Sequence, residues 1–147
     1  MQIITGDIRQ IEQGLVMHQV NCQNVMGSGV ARALYQKYPR VKSEYHSFCQ
    51  DYQKPYLLGS LQEIKINDRL TVINSFTQYD YGRNKNIVYT SEDLLIQNIK
   101  NLDFLAKERK VLAFVPYKIG CGLANGNWET ILNALKETNI FVVQLER

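Results

Sequence analysis

Two glycine-bearing segments of this 147-residue chain have residue types that could hold an anionic ligand. The first glycine loop runs from Asn21 to Ala31 and the second from Pro116 to Leu123. Each separates an apolar stretch from an amphipathic one. Glycine lets backbone N–H groups approach a phosphate closely, and a helix N-terminus behind such a loop adds a favourable dipole. The pair predicts one anionic ligand held from both sides.

Few side chains are candidates for an acid, a base, a nucleophile or a metal ligand. His18 could act as a base or acid near neutral pH, and it could equally be a histidine packed within the sheet layer. The three cysteines are odd in number, and Cys121 is more typical of a small loop residue than of a nucleophile. No cluster has metal-ligand spacing, so we expect neither a metal nor a cofactor. Neither loop has the motif of nucleotide triphosphatases or of dinucleotide-binding proteins, which disfavours both classes.

Hydrophobic periodicity predicts the elements that position these loops. Strand-like stretches span residues 2–5, 15–21, 61–66, 70–76, 111–115 and 140–145, and helical spacing spans 30–38, 39–51, 91–110 and 127–138. We expect the first two strands to be adjacent, the third and fourth to form a hairpin, and residues 77–88 to form a long loop.

The alternation of strands and helices predicts an α/β fold of three layers, with helices on both faces of a central mixed, mostly parallel six-stranded sheet. In such sheets ligands lie beyond the carboxyl ends of the strands, where both glycine loops fall. No linker or repeat divides the chain, so we expect one domain over residues 1–147.

Composition narrows the class of protein. Hydrophobic residues make up 45% and charged residues 21%, close to the average for globular domains, and no apolar run is long enough to cross a bilayer. The N-terminal residues are typical of a first strand and not of a secretion signal, so we expect a cytoplasmic location. We also expect a monomer without membrane contact. The net charge of +3 is scattered, which favours an anionic ligand only weakly and gives little support to a nucleic-acid surface.

Three motifs together resemble a macro domain. They are Gly6-Asp7-Ile8 after the first strand, the first glycine loop, and the second glycine loop followed by Trp128-Glu129. The resemblance covers essentially the whole chain. It is strongest to small stand-alone phage and bacterial members, and to the branch of terminal ADP-ribose protein glycohydrolase and the ADP-ribose-1″-phosphate phosphatases. Macro domains bind ADP-ribose, so the resemblance implies this ligand.

The resemblance also implies contacts to the two ends of the ligand. Asp7, followed by Ile8, would accept a hydrogen bond from the adenine amino group, although an aspartate here could also cap a short helix. Asn21 would contact the distal ribose, because an amide both donates and accepts, although it could equally form a turn. Phe76 and the loop 77–88 could cover the distal ribose, or that loop's tyrosines could be local packing.

The diphosphate contacts implied by the resemblance come from both loops. The expected residues are Gly27, Ser28, Gly29 and Val30 on one side and Ile119, Gly120, Cys121, Gly122 and Leu123 on the other. For each loop alone, a tight strand-to-helix turn without a ligand is the favoured interpretation. Their joint occurrence favours the binding site.

Catalysis is a separate question, because hydrolysis needs a group that activates a nucleophile or protonates a leaving group. The glycohydrolase branch carries an aspartate directly after Gly-Cys-Gly-Leu and a lysine after the central strand. Here Ala124 takes the aspartate's place, Asn127 stands where related members often have an acid, and Lys85 lies too far along. A covalent lysine mechanism is therefore disfavoured.

The remaining catalytic candidates are His18, Asn21 and Asp80. The phosphatase branch carries a histidine shortly before its Asn-Cys segment, as His18 stands here. His18 and Asn21 are three residues apart, so a regular strand would direct them to opposite faces unless its end is twisted or bulged. Asp80 is the preferred acid of the long loop.

We therefore expect a domain that binds ADP-ribose or a derivative and hydrolyses a derivative such as the 1″-phosphate or an ADP-ribosyl ester. The alternative is a non-catalytic reader or sequestering module for ADP-ribosylated macromolecules, protein or nucleic acid, or for NAD-derived signals. A nucleic-acid-binding module is disfavoured by the scattered charges.

Overall fold

The computed structural model describes residues 1–27 and 29–146. The strands are β1 (Gln2–Thr5), β2 (Gly14–Asn21), β3 (Leu61–Lys65), β4 (Leu70–Gln78), β5 (Ala113–Pro116) and β6 (Phe141–Gln144). The helices are α1 (Gly29–Lys37), α2 (Arg40–Asp51), α3 (Lys54–Leu57), α4 (Glu92–Arg109) and α5 (Trp128–Leu135), with a 3-10 turn at Ile8–Gln10. Ser28, one of the expected phosphate contacts, lies outside the described residues.

The strands form one sheet in the order β1-β6-β5-β2-β4-β3. Neighbouring strands run parallel except β3 and β4, which form the expected antiparallel hairpin at one edge. Parallel strands cannot be joined by a tight turn, and helices provide the crossovers. The predicted α/β class and the mixed, mostly parallel six-stranded sheet are confirmed.

Each face of the sheet carries its own core, which gives the three predicted layers. On one face, α1, α2 and α3 pack through apolar residues that include Leu34, Val41, Tyr45 and Leu57. On the other face, α4 and α5 pack through residues that include Leu95, Ile99, Ile131 and Leu135. Because side chains alternate along a strand, Val16 and Met17 of β2 belong to different cores.

The predicted adjacency of β1 and β2 is wrong. β1 pairs with β6, and both β6 and β5 lie between β1 and β2. The two strands follow each other in the sequence, but local pattern does not encode strand order. Here β6, the last strand of the chain, completes the sheet beside the first.

Some element boundaries also differ from the sequence prediction. β4 continues to Gln78, so the long loop begins two residues later than expected. β5 begins at Ala113, and the two residues before it, Val111 and Leu112, are 40% and 55% exposed. α5 ends at Leu135, and the short helix α3 was not expected.

The two glycine loops leave neighbouring strands in divergent directions. The chain leaves β2 for helices on one face of the sheet and leaves β5 for α5 on the other face. Strands β2 and β5 are adjacent and parallel, so their carboxyl ends meet at one edge. A crevice forms at such a switch point, and ligands bind there in open α/β sheets.

Gly14 starts β2, the strand that carries His18 and Asn21. Its φ is +109°, and a Cβ atom at this position would lie 2.4 Å from the Leu112 carbonyl oxygen. Gly14→Ala should therefore lower the free energy of unfolding by about 2 kcal/mol or more. Urea denaturation measures this change. Gly6→Ala is the matched control, since its Cβ would meet only Val143 Cγ1 at 3.9 Å, and equal costs for both variants would contradict the strain at Gly14.

Candidate functional site

A cleft of about 690 Å³ opens beyond the carboxyl ends of β2 and β5. This volume is within the range of small-molecule sites. Its walls are the first glycine loop, the second glycine loop with Ala124, the last residue of β4, Gln78, and residues 81–83 of the connection that follows β4. The structure therefore brings both glycine loops to one concave site.

Asn21 organises the first glycine loop. Its Oδ1 accepts hydrogen bonds from the Gln23 N–H at 2.9 Å and the Tyr45 hydroxyl at 3.0 Å, and its Nδ2 donates to the Val25 carbonyl at 2.8 Å. The turn-forming role is thus realised, and the same residue lines the cleft.

Helix α1 begins at this wall. Gly29, its first residue, has a φ of +61°, and a Cβ atom at Gly27 or Gly29 would meet nothing within 4 Å. The first-turn N–H groups of a helix have no intrahelical partner, and no acidic residue stands in this turn. This wall offers an open, electropositive backbone to a ligand.

The second glycine loop packs closely against the protein at Gly120 and has open space beside Gly122. Gly120, with a φ of +72°, lies where a Cβ would be 2.8 Å from Leu95 Cδ2, and its carbonyl accepts from Thr90 Oγ1 at 2.6 Å. A Cβ on Gly122 would meet nothing within 4 Å. Among the described residues, the loop's hydrogen bonds engage the N–H groups of Ile119 and Cys121 but not those of Gly120, Gly122 and Leu123. Such N–H groups form anion-binding concavities.

A buried polar network supports this loop. Asn98 of α4 donates to Ser75 Oγ at 3.0 Å, and Thr77 donates to Gln19 Oε1 at 2.8 Å. Gln19 Nε2 in turn donates to Thr90 Oγ1 at 2.9 Å, the same threonine that contacts Gly120. The position of Gly120 is therefore fixed through side chains of β2, β4 and α4.

The connection after β4, here called the arginine loop (residues 79–89), is tied to the second wall. The N–H groups of Tyr89 and Thr90 donate to the Ala124 carbonyl at 2.8 and 3.2 Å. Asn125 Nδ2 donates to the carbonyls of Asn84 and Ile87. The two segments form one continuous lip of the cleft.

The charge of the lining favours an anion. Arg83 and Lys118 line the cleft, and no aspartate or glutamate does so among the described residues. Sequence reasoning missed Arg83, because it lies in a loop without periodicity, and its position became apparent only from the fold. Asp80, the expected loop acid, is exposed, accepts from the Tyr81 N–H at 2.8 Å and is not part of the lining.

His18 lies at the floor of the cleft, 1% exposed. Its Nε2 contacts Asn74 Oδ1, and its Nδ1 is buried without a hydrogen-bond partner among the described residues. Burial lowers the pKa of its imidazole to about 4, so the ring is neutral at physiological pH. The pairing of β2 with β4 shifts register between Val20 and Asn21, so the end of β2 is irregular. His18 and Asn21, three residues apart, both line the cleft.

Asp7 lies outside the lining of the cleft. It caps the 3-10 turn by accepting from the Arg9 N–H at 2.9 Å, and the Arg9 guanidinium contacts both carboxylate oxygens. This hydrogen bonding with Arg9 lowers the pKa of the Asp7 carboxyl. A separate cavity of about 360 Å³ adjoins Asp7, Arg9 and Lys37. The capping role is realised, and an adenine amine would have to share or displace the arginine.

Three other expected contacts belong to packing. Phe76 is fully buried, and its ring stacks on Tyr45 with centroids 5.6 Å apart, so it cannot cover a ligand from this position. Ile8 is a core residue at 8% exposure. Cys121 donates its S–H to the Ile119 carbonyl, and burial, with Glu92 nearby, raises the pKa of its thiol to about 11. A nucleophilic thiolate is therefore disfavoured at Cys121.

In the part of the chain that the structure describes, no group of three histidine, cysteine, aspartate or glutamate side chains could hold a metal ion. Within the same residues, no helix is both long and apolar enough to cross a membrane.

Sequence comparison finds one partial relative. No protein-family model matches the chain. Over 51 residues the chain is 41% identical to an ADP-ribose 1″-phosphate phosphatase of Aspergillus oryzae. This match covers 34% of the chain and 25% of the fungal protein, so the chain spans about a quarter of that relative.

Solved structures match the chain over its full length. A protein of unknown function from Bacteroides thetaiotaomicron has a TM-score of 0.84 at 27% identity, covering 98% of this chain and 97% of that chain. A macrodomain protein from Streptomyces coelicolor has a TM-score of 0.76 at 16% identity, with coverage of 99% and 98%. Thermosipho africanus DarTG in complex with ADP-ribose has a TM-score of 0.72 at 18% identity, covering 99% of this chain and 42% of that chain.

The depressed pKa of His18 makes stability depend on pH. An unfolded histidine titrates near 6.5, so below that pH the unfolded state binds more protons than the folded state. The contribution is complete above about pH 6.5 and is lost as the pH falls toward 4. Between about pH 7 and 4, the free energy of unfolding should fall by about 3 kcal/mol more in the wild type than in His18→Gln. Urea denaturation at several pH values measures the difference, and identical pH slopes would contradict a buried neutral imidazole.

Proposed function

We propose that this chain, which has the macrodomain fold, binds ADP-ribose or a close derivative in the cleft between its two glycine loops. The observation that carries the proposal is the composition of the cleft. Both glycine loops line it, the N–H groups of Gly120 and Gly122 have no backbone partner among the described residues, Arg83 and Lys118 supply positive charge, and no carboxylate of the described residues lines it. The complex of Thermosipho africanus DarTG with ADP-ribose, a protein of the same fold, supports the choice of ligand.

The chemical groups of ADP-ribose are complementary to those that line the cleft. A diphosphate carries negative charge that backbone N–H groups and a guanidinium can neutralise by charge-assisted hydrogen bonds. The Asn21 and Gln78 amides, both in the lining, can donate to and accept from ribose hydroxyls. Val25, Val30 and Leu123 add apolar surface for the remaining parts of the nucleotide.

Substitutions at Gly122 test the position of the ligand. Gly122→Glu should abolish ADP-ribose binding, because it places a carboxylate and a long side chain among the N–H groups of the second loop. Gly122→Ala is the size control and should retain binding, since a Cβ atom there meets nothing within 4 Å. Calorimetric titration measures both. Unchanged affinity in Gly122→Glu would place the ligand elsewhere.

Arg83 offers a test of the charge. Arg83→Ala should weaken ADP-ribose about tenfold, because it removes one charge-assisted contact to the diphosphate. Lys85→Ala is the matched control, since Lys85 is exposed in the same loop but is not part of the lining. Titration at two salt concentrations should show a smaller salt dependence for Arg83→Ala than for Lys85→Ala. Equal losses in the two variants would indicate only a general charge effect.

Hydrolysis of ADP-ribose 1″-phosphate is the second candidate function. Two observations favour it: the partial similarity to a phosphatase, and His18, which lines the cleft and whose buried Nδ1 has no hydrogen-bond partner among the described residues. Water would attack the phosphorus atom and the ribose would leave with its oxygen, giving ADP-ribose and phosphate. The exposed position of Asp80 gives this reaction no support.

Product release distinguishes an enzyme from a reader, with phosphate as the product of ADP-ribose 1″-phosphate and free ADP-ribose as the product of an ADP-ribosylated carboxylate. Wild type, His18→Gln and Asn21→Ala would be incubated with ADP-ribose 1″-phosphate and, separately, with an ADP-ribosylated carboxylate of a protein. Turnover that is lost in His18→Gln but survives loss of an unrelated side chain such as Lys85→Ala supports hydrolysis. Binding without turnover in the wild type supports a reader of ADP-ribosylated protein or nucleic acid.

A further inference from the structure

We infer that a buried chain of hydrogen bonds through Gln62 and Asn74 fixes the tautomer of His18, so that Nδ1 is a permanent hydrogen-bond acceptor for an O–H group at the floor of the cleft. The role of that acceptor rests on the proposed function. The tautomer itself follows from the hydrogen bonds alone.

The chain of hydrogen bonds starts at a backbone carbonyl, which can accept a hydrogen bond but cannot donate one. Gln62 Nε2 donates to the backbone carbonyl of Glu44 in α2 at 2.8 Å. A carbonyl only accepts, so the amide of Gln62 must present its nitrogen to α2 and its oxygen to the opposite side. There, Gln62 Oε1 accepts from Asn74 Nδ2 at 3.0 Å.

This orientation determines the proton on His18. Since Asn74 Nδ2 is directed to Gln62, Asn74 Oδ1 is directed to His18 Nε2. An amide oxygen only accepts, so Nε2 must carry the ring proton. A neutral imidazole has one N–H, and Nδ1 is therefore left with its lone pair.

The sheet places the three side chains in line. His18 is opposite Asn74 in the β2–β4 pair, and Asn74 is opposite Gln62 in the β4–β3 pair. The relative exposures are 1% for His18, 0% for Asn74 and 8% for Gln62. Reversing one amide would leave donors facing donors and acceptors facing acceptors without water, which is costly in a buried site.

His18 Nδ1, at one end of this hydrogen-bond chain, is buried and has no partner among residues 1–27 and 29–146. A buried acceptor left unsatisfied is destabilising, so an O–H group that reaches it from the cleft relieves that cost. Burial keeps the pKa of the ring near 4, and Nδ1 therefore stays unprotonated across the physiological range. The donor has O–H chemistry, either a hydroxyl of the distal ribose or a water held beside it. Asn74 and Gln62 are positioning residues in this arrangement.

The test is the tautomer of His18 observed by long-range 1H–15N correlation at neutral pH, with His46→Gln to assign the two histidines. We expect His18 to be in the Nε2–H form alone. Gln62→Met, which keeps the size but removes the link to Glu44, should let Asn74 reverse and populate the Nδ1–H form. Asn98→Leu, a buried amide on the other face of the sheet, is the control and should leave the tautomer unchanged.

The outcomes separate the inference from the proposed function. A wild-type His18 in the Nδ1–H form or in a mixture would overturn the inference whether or not ADP-ribose binds, even if Gln62→Met fails to fold. The expected tautomer without calorimetric binding of ADP-ribose would remove the proposed function and the acceptor role, and would leave only the fixed tautomer.

Titration with ADP-ribose and with ADP identifies the O–H donor. A change of the Nδ1 resonance with ADP-ribose but not with ADP assigns the distal ribose, and a change with both assigns a bound water. Binding of ADP-ribose without any change at Nδ1 would overturn the acceptor role.

Discussion

Two residue pairs, Leu15 with Ala113 and Val16 with Phe114, hold β2 beside β5 in parallel. This short ladder lies at the centre of the sheet, and the chain departs from the two strands toward opposite faces. The first glycine loop, the second glycine loop and the floor with His18 all depend on it. A strand inserted between β2 and β5 would separate the loops by nearly 5 Å more and divide the anion site.

Because side chains alternate along β2 and β4, hydrogen-bonded polar side chains lie on both faces of the sheet beneath the cleft. His18 and Asn74 face the helices α1 and α2, and their chain ends at the carbonyl of Glu44. Gln19 and Thr77 face α4, and their network ends at the carbonyl of Gly120. Buried polar groups are expensive unless satisfied, so each network selects one arrangement of the side chains beneath the cleft. The network of Gln19 positions the second glycine loop, and the network of Asn74 fixes the ring proton of His18 on Nε2.

The sequence predicted those parts of the site whose conformation is determined by neighbouring residues in the sequence. Gly29 and Gly120 have positive φ values, and the need for such a conformation is visible as glycine at a strand-to-helix turn. The parts that it could not predict depend on residues remote in sequence. Phe76 is removed from the site by stacking on Tyr45, and the contribution of Arg83 follows from how its loop folds back toward the cleft.

The same division explains the fold. Strand periodicity and the hairpin at residues 67–69 predicted most elements, because both are short-range signals. The place of β1 beside β6 joins the first and last strands, with Gln2 opposite Phe141. No local pattern contains that pairing. Asp7 similarly could cap a turn or face a ligand, and the competing guanidinium of Arg9 is apparent only in three dimensions.

The continuous lip formed by the arginine loop and the second glycine loop has a consequence for the lengths of these loops. The Ala124 carbonyl accepts from the N–H groups of residues 89 and 90, and the Asn125 amide donates to the carbonyls of residues 84 and 87, so the two segments share one set of hydrogen bonds. An insertion in either loop alone would break this register and shift the wall on which Gly122 lies. Related chains with a different cleft width should therefore have changed both loops together, as a matched pair.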